Sequence, residues 1–350
     1  MKCSKSMTNF EAFSFIKHHK PPFSEYCTLT YLKIENCYLV HYLIISGLGH
    51  LSRLLAFGHD FNVVCLEAED EFGSTAIQFD EDLIKATKKA TPSSDPSSKC
   101  PKHVTLKVDP QLDVDIFVKK TSLVFQEQPF GLMGLHTCGD LGPTILRLYA
   151  ESEGASSLQS VGCCYMHLKE TFPASLVVKS AFKDHQQSPA LTYVALELAC
   201  HAIETYQERL CKIEEREKLK VHCRRALLEY LLVEQKKRPD LRHKGLKTVK
   251  NSYLLPFEEY VLKATDGLNV NFEMKDLTED DKEDIRSKQD QWWRVVSFYT
   301  LRLLFAPLIE TLVLLDRCLY LHDKGQSCSL APLFDPRLSP RNFVIYSFKI

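Results

Sequence analysis

The stretch that most constrains what this chain can fold into is Gly131–Leu168, GLMGLHTCGDLGPTILRLYAESEGASSLQSVGCCYMHL. An apolar run, Gly131–Leu135, stops at a polar corner, His136-Thr137-Cys138-Gly139-Asp140. Apolar residues then recur at Leu141, Ile145, Leu146, Leu148 and Tyr149, a helical spacing within Leu141–Glu153. Leu158–Tyr165 returns to strand character and ends in Cys163-Cys164-Tyr165. Strand, helix and strand in that order predict a βαβ unit with two parallel strands. Ligands of such sheets sit at the carboxyl ends of the strands. This chain puts its polar residues there, so a small-molecule site is expected at that edge.

Upstream, the same alternation repeats. Tyr38–Ile45 is rich in β-formers and reads as a strand running into Ser46-Gly47-Leu48-Gly49-His50. Leu51–Phe57 is helical, Phe61–Leu66 is a second buried strand ending on Glu67, and Phe72–Ala90 is a helix. Thr91–Lys102 is a Pro/Ser loop, and His103–Val108 is a third strand stopped by Asp109-Pro110. Downstream, Ala190–Gln235 is largely helical, Gln235–Lys250 is basic and Asp276–Gln291 is acidic. A long apolar helix, Trp292–Leu321, precedes two strand-like runs near Ser329–Phe334 and Asn342–Phe348. The expected class is α/β. Its parts are a poorly patterned segment (1–37), a Rossmann-like half (38–168), a helical insertion (169–291) and a closing helix with a terminal strand pair (292–350).

Hydrophobic residues make up 45% of the 350, enough for a packed core, and the formal net charge of -1 implies no global attraction to nucleic acid or membrane. Thirteen cysteines, an odd number, form no even-spaced framework, so a reduced protein of the cytoplasm or nucleus is expected. Phe298–Leu321 is apolar but carries Arg302, Pro307, Glu310, Asp316 and Arg317. It reads as a buried amphipathic helix, and no membrane span is expected.

Glycines in Ser46-Gly47-Leu48-Gly49 let backbone approach a ligand at a helix N-terminus. Glu67 lies 18 residues past Gly49 at the end of the next strand, where a carboxylate can accept hydrogen bonds from ribose hydroxyls. Asp109 is next on the same rim. For Glu67 and Asp109 taken singly, turn chemistry and helix capping are equally good accounts.

Seven motifs in order, SGLGHLSRLL, VDP, GLHTCGDL, SVGCCYMHL, CHAIETYQERL, APLIETLVLLDRCLYL and LSPRNFV, resemble the methyltransferase-like protein 25 family. The nearest member type is the one also called ribosomal RNA adenine dimethylase domain-containing protein. The resemblance runs from Ser46 to about Phe348. It implies a class I S-adenosylmethionine-dependent methyltransferase fold, a Rossmann-like seven-stranded sheet whose last strand is antiparallel. A tRNA 2′-O-methyltransferase family is similar in pairing a His-x-Cys-Gly corner with a Cys-Cys-His-His strand end. By resemblance, Gly47 and Gly49 let the protein backbone approach S-adenosylmethionine, Glu67 takes its ribose and Asp109 its adenine edge. His136 and Asp140 serve the reacting end as catalytic candidates, His136 also touching cofactor, with Cys138 and Tyr165 toward substrate. The family carries Val-Asp-Val-Gly where this chain has Tyr42-Leu43-Ile44-Ile45, so an acidic residue and a glycine are replaced. Met1–Ile45 therefore reads as an alternative or mispredicted start.

HTCGDL is not the Asn/Asp-Pro-Pro-Tyr motif of adenine-N6 methyltransferases, so the substrate is left as RNA or protein. The competing reading is an inactive methyltransferase-like scaffold that binds a partner through the helical insertion. His136, Cys138, Cys163 and Cys164 lack the paired spacing of structural zinc. Adjacent Cys163 and Cys164 would point to opposite faces of a strand, and no metal is expected. Tyr165 is either a stacking platform or a core aromatic. The basic run Lys236, Lys237, Arg238, Arg242, His243, Lys244, Lys247 and Lys250 is a phosphate-contacting patch or, with no aromatics interleaved, a solvated loop.

Overall fold

Near-continuous apolar runs in this chain become strands buried on both faces. The computed structural model describes residues 41–45, 48–90, 96–169, 171–183, 191–235, 239–241, 246–268, 278–333 and 335–349. Its strands are β1 (His41–Ile45), β2 (Asn62–Glu67), β3 (Lys102–Thr105), β4 (Phe130–Thr137), β5 (Ala155–Gly162), β6 (Cys328–Pro332) and β7 (Phe343–Phe348). They form one seven-stranded sheet in the order β3-β2-β1-β4-β5-β7-β6. β1 to β5 pair in parallel, and β7 runs antiparallel to both β5 and β6. This is the Rossmann-like, class I methyltransferase arrangement that the resemblance implied, within the α/β class that the pattern of elements predicted. The strand order reverses at β1 and β4, and their carboxyl ends frame the crevice where such sheets bind ligands.

The period-2 alternation of β1 divides the core. Leu43 pairs with Val64 and Leu132 in register, and all three join a cluster with Phe117, Ile145, Leu146 and Leu321. Tyr42 and Ile44 belong to a second cluster with Val63, Cys65 and Ala56. Helices therefore cover both faces, which is why these strands tolerate no polar residue at their centres.

Helix α1 (His50–Arg53) continues into a π-turn at Leu54–Gly58, and α2 spans Asp70–Ala90. Helix α3 (Val114–Phe125) was not foreseen in the sequence. Asp113 starts it, its Oδ1 accepting from Asp115 N (2.7 Å) and Ile116 N (3.2 Å). Helix α4 spans Leu141–Glu151 and buries the face carrying Ile145, Leu146, Leu148 and Tyr149.

The chain separates into two units. Among the described residues, one comprises 41–201 and 306–349 and holds the whole sheet; the other comprises 202–305. The helical unit is thus narrower than the expected insertion at 169–291: residues 169–201 belong with the sheet, and residues 292–305 with the helices. It has its own core, built from Leu228, Leu231, Phe257, Tyr260, Val261 and Ile285. A reciprocal cap between Thr278 and Asp281 opens the acidic helix Glu279–Asp290.

Trp292–Asp323 is the one described helical stretch long and apolar enough to cross a membrane, with 28% of its most apolar window buried. Core helices of water-soluble proteins pass the same test, so it is weak support for a span. Its Phe298, Leu301 and Leu308 are exposed rather than buried as expected, whereas Val313, Leu314 and Leu321 are in the core. Of the basic run, Lys236, Lys237, Arg238, Arg242, His243 and Lys244 lie outside the described residues. Lys247 pairs with Asp266.

Candidate active site

The corner after β1 is shaped by Gly49, whose φ of +72° is a left-handed conformation that side-chain-bearing residues rarely adopt. A Cβ there would come within 3.3 Å of Arg53 Nη1. Arg53 is the anchor of this corner: Nη2 donates to Leu48 O, and Nη1 donates to Ala76 O (3.3 Å) and to Asp80 Oδ1 (2.9 Å). Asp80 also meets His103 Nε2 at 2.7 Å. The buried Arg53–Asp80–His103 network thus ties the Leu48–Gly49 loop to α2 and β3. Burial works to lower His103, and its hydrogen bonds to Asp80 and Cys65 outweigh that and raise it to about 9. His50, beside Arg53, is lowered by burial and by the guanidinium charge.

At the carboxyl edge a cavity of about 440 Å³ opens. Its walls come from four strand ends: Ile45 after β1, Leu66, Glu67 and Ala68 at β2, Leu106 and Val108 past β3, and Leu135 and His136 at β4. Leu48, Gly49, His50, Leu51 and Leu141 complete it. Gly49, Glu67 and His136, chosen from sequence, therefore face one space. His50 was missed, although its place directly after Gly49 at a helix start is a signal for it. The size and mostly apolar lining suit a small organic ligand held by few polar groups.

Glu67 Oε1 accepts from Ala68 N (2.8 Å) and Glu69 N (3.2 Å). The turn-forming role and the ribose role are thus not exclusive, because both bonds fall on one carboxylate oxygen. Asp109 stands outside the cavity lining. Its Oδ1 accepts from Gln111 N (3.1 Å) and its Oδ2 lies 3.2 Å from Lys107 Nζ, a turn-stabilising arrangement. Gly47 lies outside the described residues.

Asp140 opens α4, and its Oδ1 accepts from Thr171 Oγ1 (2.6 Å) and Lys169 N (2.9 Å). This carboxylate ties the corner after β4 to the segment beyond β5. Tyr165 is 1% exposed; its hydroxyl donates to Glu310 Oε1 at 3.0 Å and the Arg317 guanidinium lies 5.4 Å from its ring centre. Of its two sequence-level roles it takes the core aromatic, since a ring so enclosed has no face to offer a ligand.

Cys138 is not in the cavity lining but stands at the exposed corner one residue beyond β4. The expectation that Cys163 and Cys164 point apart is wrong. β5 ends at Gly162, so pleated alternation no longer governs the next two residues, and their Sγ atoms lie 3.6 Å apart. Cys163 Sγ is also 3.8 Å from His136 Nδ1. A hydrogen bond from the Cys163 thiol, with further bonds from Cys164, holds Cys138 down to about 5 against the opposing effect of burial. Cys163 is correspondingly raised by its bond to Cys138.

The residues present fit the adenosyl half of the cofactor that the fold implies: Gly49 admits close backbone approach, Glu67 keeps Oε2 for hydroxyls, and aliphatic walls suit a purine face. They fit the methionine half less well. Leu43 is fully buried in the core and Ile45 lines the cavity where the resemblance implies an acidic residue and a glycine.

Comparison with known proteins agrees with this architecture. Residues 34–171 match a family model described as a methyltransferase domain. The chain is 30% identical over 227 residues to probable methyltransferase-like protein 25 of Mus musculus, covering 62% of this chain and 37% of that protein. It is 29% identical over 231 residues to the Homo sapiens protein of that name, covering 62% and 36% respectively. The chain thus spans little more than a third of the length of the curated relatives it matches. No solved structure gives a significant match. The chain thus carries a methyltransferase domain on a class I sheet and is similar to methyltransferase-like protein 25 over that part of its length.

Proposed function

We propose that the cavity at the β1–β4 edge binds S-adenosylmethionine and that the chain is a methyltransferase acting on RNA or protein. One observation carries this reading: Gly49, Glu67 and His136, from three separate strand–helix corners, line the same cavity. Glu67 would hold the ribose through Oε2. Leu66, Ala68, Leu106 and Val108 would flank the adenine, with Asp109 at the rim behind them. When bound, the cofactor supplies an electrophilic methyl group on a sulfonium. The protein's own part is to align a nucleophile and exclude water. The His136 imidazole, in the wall at the end of β4, would accept the proton of a nucleophile that arrives protonated. Asp140 is a positioning residue on this reading, acting through Lys169 and Thr171 on the corner that carries His136.

Isothermal titration with S-adenosylmethionine and S-adenosylhomocysteine tests it. Saturable binding that falls at least about tenfold in Glu67→Ala, the loss of on the order of 1.4 kcal/mol in charge-assisted hydrogen bonding, supports the reading. No heat at millimolar ligand refutes it.

A second reading is favoured by Leu43 and Ile45. With no acidic residue on β1 to meet the methionine ammonium, the chain would be an inactive scaffold that engages a protein or RNA partner. Restoring Asp at Leu43 and Gly at Ile45 separates the two. Binding that appears only in the restored protein supports the scaffold.

A further inference from the structure

Three thiols and an imidazole converge where the β4 and β5 corners meet. The Sγ atoms of Cys138, Cys163 and Cys164 all lie within 4.8 Å of one another. Cys163 Sγ stands 3.6 Å from Cys164 Sγ and 3.8 Å from His136 Nδ1. These separations can be compared with what a single ion demands. A tetrahedral zinc with Zn–S of about 2.3 Å and Zn–N of about 2.05 Å requires S···S edges of about 3.8 Å and S···N edges of about 3.6 Å. Two edges of that tetrahedron are therefore met to within about 0.2 Å. The S···S edges to Cys138 are at most 4.8 Å, so the third sulfur closes on its partners by at most about 1 Å, a movement its exposed side chain can make.

The donors are held by backbone as well as by one another. Gly139 N donates to Cys164 O (3.1 Å), and Thr137 Oγ1 donates to Val161 O (2.8 Å), locking the two corners together. Gly139 adopts φ +52°, and a Cβ there would lie 2.5 Å from His167 O, so the corners approach as closely as backbone allows. Cys200 Sγ, at 3.5 Å, donates to Cys163 O from behind. Three gathered sulfur donors, with one imidazole nitrogen beside Cys163, are the donor set of a thiophilic d10 cation.

From this geometry we infer that Cys138, Cys163, Cys164 and His136 form a site for one zinc ion. In the bound state all three sulfurs are thiolates: Zn²⁺ gains three Zn–S bonds and one Zn–N bond, and the protons that the thiols still carry pass to the buffer. The ion closes the carboxyl ends of β4 and β5 into one rigid corner and holds His136 through Nδ1, leaving Nε2–H toward the proposed cofactor cavity, so in the zinc-loaded chain His136 orients a nucleophile rather than deprotonating it. The inference does not rest on cofactor binding and is tested without it.

Cobalt(II) is the probe. Titrated into the full chain after chelation and reduction, it gives the visible bands of tetrahedral coordination and a near-ultraviolet thiolate charge-transfer band, saturating at one ion per chain. One equivalent of zinc bleaches both, and binding in weak buffer releases protons. Cys138→Ser and Cys164→Ser each weaken cobalt binding at least about 100-fold. His136→Ala keeps the charge-transfer band but shifts the visible bands and weakens binding on the order of 10–100-fold. Cys211→Ser, an exposed thiol in the other unit, changes nothing. If Cys163→Ser, at the buried position, fails to fold, the Cys138 variant carries the comparison. A folded chain that takes up no cobalt, or takes it up with the bands of octahedral oxygen ligation, overturns the assignment. So does binding that survives Cys138→Ser and Cys164→Ser together.

Discussion

Replacing Asp80 should unlock the corner on which the cavity depends. Asp80 is 1% exposed, and its two oxygens meet Arg53 Nη1 at 2.9 Å and His103 Nε2 at 2.7 Å. Arg53 is itself only 9% exposed. Asp80→Ala would leave that guanidinium buried without its counter-charge, which costs about 3–5 kcal/mol when one partner of a buried pair is removed. Arg53 keeps the Leu48 and Ala76 carbonyls as acceptors, which places the expectation near the lower end, about 3 kcal/mol. Because the two units need not unfold together, a global melt is the wrong measurement. Amide hydrogen exchange resolved to peptides within 48–57 and 70–90 reads the effect locally. Protection there should fall by roughly two decades, since 1.4 kcal/mol is tenfold. Peptides of the helical unit should be unchanged. Arg53→Met combined with Asp80→Leu removes both charges and should recover most of the loss. A fall of less than about fivefold in Asp80→Ala, about 1 kcal/mol, would refute the claim that a desolvated ion pair holds the Leu48–Gly49 loop.

His103 gives the same network a pH signature. Its folded pKa of about 9 lies above the unfolded value of 6.5, so its contribution is full below pH 6.5 and fades as pH rises toward 9. The melting temperature of the sheet-bearing unit should decline across that window, and less so in His103→Gln; equal declines in the two proteins contradict the pairing. Gly139→Ala should cost at least about 1–3 kcal/mol and shift the spectroscopic signature of the cysteine corner, because the added Cβ meets His167 O in a left-handed backbone. Gly73→Ala is the opposite case: nothing lies within 4 Å of the new Cβ in the first turn of α2, and the change should stabilise by about 0.4–1 kcal/mol in a denaturant titration. Thr171→Val should loosen the corner that Asp140 ties down, with methyl transfer slowed and S-adenosylmethionine affinity retained; affinity falling in parallel would mean that Asp140 serves the cofactor directly.

Local pattern carried much of this architecture. The buried runs of β1, β2 and β4 needed no tertiary knowledge, because a strand covered on both faces is apolar at its centre, and these are; β5 departs from that rule, burying Ser157, Gln159 and Ser160. The helices between them followed from a period near 3.6, as in Leu141–Tyr149. Glycine in the corner after β1 and a carboxylate ending β2 were likewise legible, since backbone conformation and strand-end position restrict which residues work there. Helix α3 was overlooked although Val114, Phe117, Val118, Val124 and Phe125 follow a helical spacing behind the Asp113 cap.

What pattern could not supply is where a side chain's partners come from. Asp140 binds a segment nearly thirty residues away, Asp80 finds its cations on α1 and β3, and Tyr165 is enclosed by a helix that begins at Ala306. Those choices depend on which elements pack together. The cysteine corner makes the point most directly. Alternation predicts Cys163 and Cys164 on opposite faces, and it holds only while the chain remains a strand. One residue after Gly162 the backbone leaves the sheet, and from there tertiary contact alone decides that both sulfurs turn the same way.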